Sequence, residues 1–97
     1  MIAFEIMVTA IQSGGSVGTT GDGWATKYTG AVKNISGTTS LIGSVTEESI
    51  AGDAGTTAWD ASVTADDGND AVVIFGTSTE NRNIEWVAKA KLTRNSI

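Results

Sequence analysis

The chain contains no cysteine and no histidine. A disulfide or a Cys- or His-based zinc site, the usual reinforcements of a small fold, is thereby excluded, as is the side chain that most often serves as a general base near neutral pH. Basic charge is scarce too: six Lys and Arg stand against eleven Asp and Glu, for a formal net charge of -5 and a pI near 4.3. Such a surface repels phosphate backbones, and no cluster of Lys and Arg reverses that locally, so nucleic acid is not an expected partner. A run of about 18 apolar residues is also missing, which removes a helical membrane span. Residues Met1 to Ile11 are apolar but include Glu5, carry no basic leader and offer no small-residue cleavage signal. They read as structure and not as a signal peptide. The lack of cysteine fits a reducing cytoplasm or changing redox conditions and does not choose between them.

What is present is a globular composition, 40% hydrophobic over 97 residues. The length is that of a single domain, residues 1–97, whose folded form buries only about 60 to 65% of the surface its unfolded chain exposes. The core is thin, and oligomerisation is the reinforcement that remains.

Apolar residues recur with period two almost throughout. Ile2, Phe4, Ile6, Val8 and Ala10 define one face of a first strand. The Gly-rich segment Ser13 to Gly23 reads as a loop with only Val17 to bury. A second strand spans Trp24 to about Lys33, with Trp24, Thr26, Tyr28, Gly30 and Val32 on one face, and Asn34-Ile35-Ser36-Gly37 is a hairpin turn. Leu41 to Ile50 supplies a third strand, broken by Gly52 to Gly55, and Ala58 to Ala65 a fourth. Asp66 to Asp70 turns into a fifth strand, Ala71 to Gly76, and Thr77 to Asn83 connects to a sixth, where Ile84, Trp86, Ala88, Ala90 and Leu92 alternate with Glu85, Val87, Lys89, Lys91 and Thr93. Short, regularly spaced strands without crossover segments predict an all-β fold, a small antiparallel β-sandwich (jelly-roll-like) of about six to eight strands with no significant helix. Trp24, Tyr28, Trp59 and Trp86 are expected to fill the space between its sheets.

Chemistry is hard to find. Ser and Thr are abundant, but they occupy turns and alternate strand positions, and no base is arranged to activate them. Glu47 and Glu48 are neighbours on a strand and so face opposite ways. Asp66 and Asp67 lie in a turn, where Asp bonds local backbone groups. The DDGND segment carries hard oxygen ligands of the kind calcium takes, without the spacing of an EF-hand loop, and a solvated turn is the expectation. The Gly-rich loop lacks the following helix and Lys-Ser/Thr of a phosphate-binding loop. No catalytic residue, metal site or cofactor is expected. Trp24, at the edge of the long loop, is the one aromatic suited to stacking on a sugar. With Asp22 and Lys27 it forms the nominated ligand or partner contact. Lys27, Lys33, Lys89, Lys91 and Arg94 read as solvated strand faces that discourage stray edge pairing.

The order of features resembles a β-sandwich domain of structural proteins in tailed phages, of the tail-fibre or appendage type. The resemblance is carried by SGGSVGTTGDGW at Ser13 to Trp24, YTGAVKNISGTTSLIGSV at Tyr28 to Val45 and AWDASVTADDGNDAVVIFGTSTENRNIEWVAKAKL at Ala58 to Leu92. It implies a symmetric, trimeric virion component, assembled in the bacterial cytoplasm, that contacts other virion proteins and a host-surface glycan. Such domains commonly end a longer polypeptide, whereas here the first strand is already under way at Met1. An excised fibre tip and a small capsid-decorating or cement protein are both open. A small carbohydrate-active enzyme, drawing on the exposed carboxylates, is the remaining class.

Overall fold

Three long strands follow from the period-two pattern and pair side by side. The computed structural model describes residues 1–69, 71–78 and 81–95. Asp70 of the DDGND turn, and Thr79 and Glu80 of the connection after Thr77, lie outside the described residues. Strand β1 (Ile2–Gly15) is the centre of the larger sheet. It pairs antiparallel with β2 (Gly23–Ile35) on one side and with β7 (Arg82–Arg94) on the other. Two short strands, β3 (Thr38–Leu41) and β4 (Thr46–Gly52), share the far edge of β2, β3 along Val32 to Ile35 and β4 along Trp24 to Thr29. A second sheet consists of the hairpin β5 (Asp60–Asp66) and β6 (Ala71–Thr77). The fold is thus all-β, two antiparallel sheets of unequal size, five strands against two. Its only helical pieces among the described residues are single turns at Ala54–Thr56 and Asp67–Asn69.

The structure moves several expected boundaries. The first strand does not end near Ile11 but continues to Gly15, so Ser13 to Gly15 belong to the sheet. A register shift between Gln12 and Gly14 marks an irregularity there. The expected third strand, Leu41 to Ile50, divides into β3 and β4, because Gly43 turns the chain at φ 64°. Ser36 and Gly37 both take positive φ, 53° and 84°, as a tight two-residue hairpin turn requires.

The core follows the inner faces. Phe4, Ile6, Val8, Tyr28, Val32, Ala61 and Val63 form a buried cluster, with Ile74, Trp24 and Trp86 packed against it. Phe4, Ile6 and Val8 come from one face of β1, and Ala61 and Val63 from the facing hairpin, as period-two packing dictates. The body is elongated, 50 × 24 × 18 Å, with a radius of gyration of 15.4 Å. A compact chain of this length has a radius of about 12.5 Å.

Candidate assembly surface

At one pole of the sandwich the aromatic residues meet. The rings of Trp24 and Trp86 pack edge to face with centroids 5.9 Å apart, and Trp59 tilts against Trp86 at 6.4 Å. Trp59 is buried, although it precedes β5 and is not on a strand. Gly76 makes this packing possible by its bare Cα, since a Cβ there would lie 2.7 Å from the Trp86 ring. Sequence reasoning missed the residue that organises this end, Gln12, which is only 1% exposed. Its Nε2 donates to the carbonyls of Gly14 at 3.0 Å and Val17 at 2.7 Å, and its Oε1 accepts from Arg82 Nη1 at 3.4 Å. Arg82 also donates to the Gly55 carbonyl at 3.0 Å. The Gly-rich loop is tied further by Gln12 N–H to the Asp22 carbonyl and by Ser16 N–H to the Asn81 carbonyl. The available signal was a lone amide on the inner-face series that runs from Ile2 to Ala10 in steps of two.

Several of the hydroxyl and carboxylate groups are occupied by the fold. Tyr28 donates its phenolic hydrogen to the Ala61 carbonyl at 2.5 Å, which links the two sheets. Burial, with Glu47 and Asp60 nearby, pushes the Tyr28 phenol well above its ordinary value. Thr26 Oγ1 donates to Glu47 at 3.2 Å, while Glu48 turns the other way to pair with Lys27 at 3.6 Å. Asp66 accepts from the backbone and side chain of Asn69, and Asp67 Oδ1 accepts the Thr39 N–H at 2.7 Å. No group of three or more potential metal-ligating side chains occurs among the described residues.

The nominated contact residues do not converge. Trp24 lies on the inner face of β2, half-buried against Trp86, while Lys27 is three positions on and projects from the opposite face. Asp22 is a loop residue whose backbone bonds Gln12 and Thr19.

The surface without an intramolecular role lies along the side formed by β6 and β7. No described strand pairs with the outer edge of either. Between them runs an apolar groove of about 210 Å³, lined by Phe4, Ile6, Val72, Ile74, Ala90 and Leu92. Leu92 is 64% exposed although it belongs to the inner face, and Val87 and Phe75 are more than half exposed. The two-stranded sheet is too narrow to cover the five-stranded one, and β7 carries the uncovered remainder. No helix of the described residues is long and apolar enough to cross a membrane. Comparison of the chain with protein-family models, with curated proteins and with solved structures finds no match.

Proposed function

We propose that the chain is a non-enzymatic structural subunit whose open side is completed by assembly. The observation that carries this reading is the groove between β6 and β7, where inner-face side chains of the larger sheet stay in water. An exposed apolar face on so small a body marks an interaction surface. Catalysis would instead call for convergent polar groups in a cleft. Here Glu47 and Glu48 diverge, Asp66 and Asp67 are engaged in turn bonds, and Tyr28 is sealed between the sheets.

The setting we propose is the virion of a tailed phage, with the domain in a tail fibre or other appendage that helps the particle meet the host surface. Support for the setting comes from the whole-chain resemblance of the sequence, and threefold symmetry belongs to the same resemblance. The test combines solution mass by light scattering with binding of the purified chain to host cells and their surface glycans. An oligomer that binds saturably is the expected result. A chain that stays monomeric and binds neither cells nor phage particles removes the reading. Capsid decoration is the second reading, favoured by the elongated body with a long unpaired edge suited to lying along a shell. It predicts a higher melting temperature for capsids carrying the protein than for bare ones.

A further inference from the structure

Strand β7 presents thirteen residues to solvent along its outer edge. Its hydrogen-bonding phase can be read from its partner. Asn95 N–H donates to the Met1 carbonyl at 2.8 Å and Met1 N donates back to the Asn95 carbonyl at 2.7 Å, so these two form a mutually bonded pair. The β1–β7 register is unbroken from Ile2↔Arg94 to Gln12↔Ile84. Antiparallel pairs alternate, so Glu85, Val87, Lys89, Lys91 and Thr93 spend their N–H and C=O groups on β1. Ile84, Trp86, Ala88, Ala90 and Leu92 therefore direct theirs to the open edge; they share the inner face, and Ala90 and Leu92 among them line the apolar groove.

Long unpaired edges are usually blunted by proline, a bulge or a covering element. The chain has no proline, and the one irregularity of this ladder lies at Gln12/Gly14, opposite Ile84 and Asn83 near one end of the strand. Charges on the outer face are the remaining protection, and their order is self-complementary. Two copies of β7 paired antiparallel about Lys89 would set Lys89 against itself, and about Ala90 would set Lys89 against Lys91, both unfavourable. Pairing about Val87 would set Glu85 against Lys89 but would join only eleven residues of each strand; about Ala88, the midpoint, all thirteen overlap and Glu85 falls opposite Lys91 of the second copy twice over. On the groove side Ile84 then meets Leu92, Trp86 meets Ala90 and Ala88 lies on the axis. Arg82 and Arg94 come together at the ends, but Arg82 is turned back onto Gln12 and Gly55.

The exposed area fits the same occupant. The chain exposes 6124 Å², whereas a folded monomer of 9.9 kDa is expected to expose about 5,200 Å². The difference, roughly 900 Å², is close to the ~800 Å² that each partner contributes to a stable interface.

Resting on the assembly reading above, we propose that β7 pairs with β7 of a second copy of this chain across a twofold axis at Ala88, joining two five-stranded sheets into one and setting the grooves of the two copies side by side. Such self-pairing generates a dimer, or a hexamer if a separate surface also builds a trimer. The test is light scattering of the full chain with Glu85→Lys, Lys91→Glu and the double exchange. Each single variant is expected to halve the solution mass at equal micromolar concentration, and the double exchange to restore it, with unchanged far-ultraviolet circular dichroism throughout. As a second measurement, Ala88→Cys is expected to give a covalent dimer on mild oxidation, because axis-related Cα atoms in a bonded pair lie about 5.5 Å apart. The chain has no other cysteine to confuse the result. Masses unaffected by the single charge reversals, a double exchange that fails to recover, or no crosslink at position 88 overturns the pairing. A trimer that none of these variants changes, or a monomer that still binds particles, overturns the β7 pairing alone and leaves the assembly reading standing.

Discussion

The phenol of Tyr28 in β2 and the carbonyl of Ala61 in β5 form a buried hydrogen bond across the two sheets. The two residues are 33 positions apart in sequence. The bond therefore fixes where the small hairpin sits on the large sheet, and with it which part of β7 is left uncovered.

Tyr28→Phe keeps the ring packing and deletes the donor, leaving a buried carbonyl short of a partner. A loss of about 1–3 kcal/mol is expected. At roughly 4–8 °C per kcal/mol for a domain of this size, the change is readable as a fall in melting temperature by calorimetry or circular dichroism.

Alkaline pH gives a second readout of the same bond. The phenol is raised in the folded chain, so folding stability is fully present below the unfolded value of about 10 and falls as pH climbs above it. The loss approaches at most ~1.4 kcal/mol per pH unit. Tyr28 is the chain's only tyrosine. Phenolate absorbance near 295 nm is expected to appear together with unfolding, and a phenol that titrates near pH 10 in the native chain would contradict this.

Gln12→Leu fits the apolar neighbourhood of the inner face but abandons the carbonyls of Gly14 and Val17 and the guanidinium of Arg82. A destabilisation of about 2–4 kcal/mol is expected. Amide exchange between Gly14 and Asp22 should accelerate more than in the β1–β2 ladder, because the loop loses its tie while the ladder keeps its own bonds.

Gly15→Ala is expected to be costly for a different reason. Gly15 has φ 115°, and a Cβ there would run into the Asn81 carbonyl oxygen, which is backbone and has little room to give. About 2 kcal/mol or more should be lost, and more than for Gly21→Ala, where nothing lies within contact and only backbone strain remains. Gly21 also has positive φ, so the comparison of the two by denaturant titration separates backbone strain from collision.

Leu92→Ser tests the groove. At 64% exposure the side chain contributes little to the isolated fold, so stability of the dissociated chain should change by about 0.5 kcal/mol or less. The self-association of the chain, measured by sedimentation, is expected to weaken at least tenfold.

The long strands were legible in the sequence because their inner faces alternate without interruption, as at Ile2, Phe4, Ile6, Val8 and Ala10. The all-β class and the aromatic packing of Trp24, Trp59 and Trp86 follow from the same pattern. The division of Leu41 to Ile50 was not legible, because both halves use the edge of one long neighbour, a long-range arrangement that local alternation does not encode. Ser13 to Gly15 looked like loop by composition, yet the buried amide of Gln12 and the pairing with Asn83 and Arg82 hold that stretch in place. The grouping of Asp22, Trp24 and Lys27 came from nearness in sequence. A strand sends Trp24 and Lys27 to opposite faces. The open side was hidden for a further reason: the composition of β7 reports which residues alternate, not how wide the sheet above it is.

Met1 and Asn95 exchange hydrogen bonds at the pole opposite the tryptophans. A pull applied to these two points in opposite directions acts across the antiparallel ladder of β1 and β7 and loads its pairs one after another, starting with the outermost. The sheet would open like a zip under a small tension. A pull along the long axis, from Met1 at one end of β1 to Arg82 at the far end of β7, instead shears many of those pairs at once. Resistance to mechanical stress in this fold therefore depends on direction, and a subunit that must withstand drag is better held by the length of its edge than by the meeting point of Met1 and Asn95.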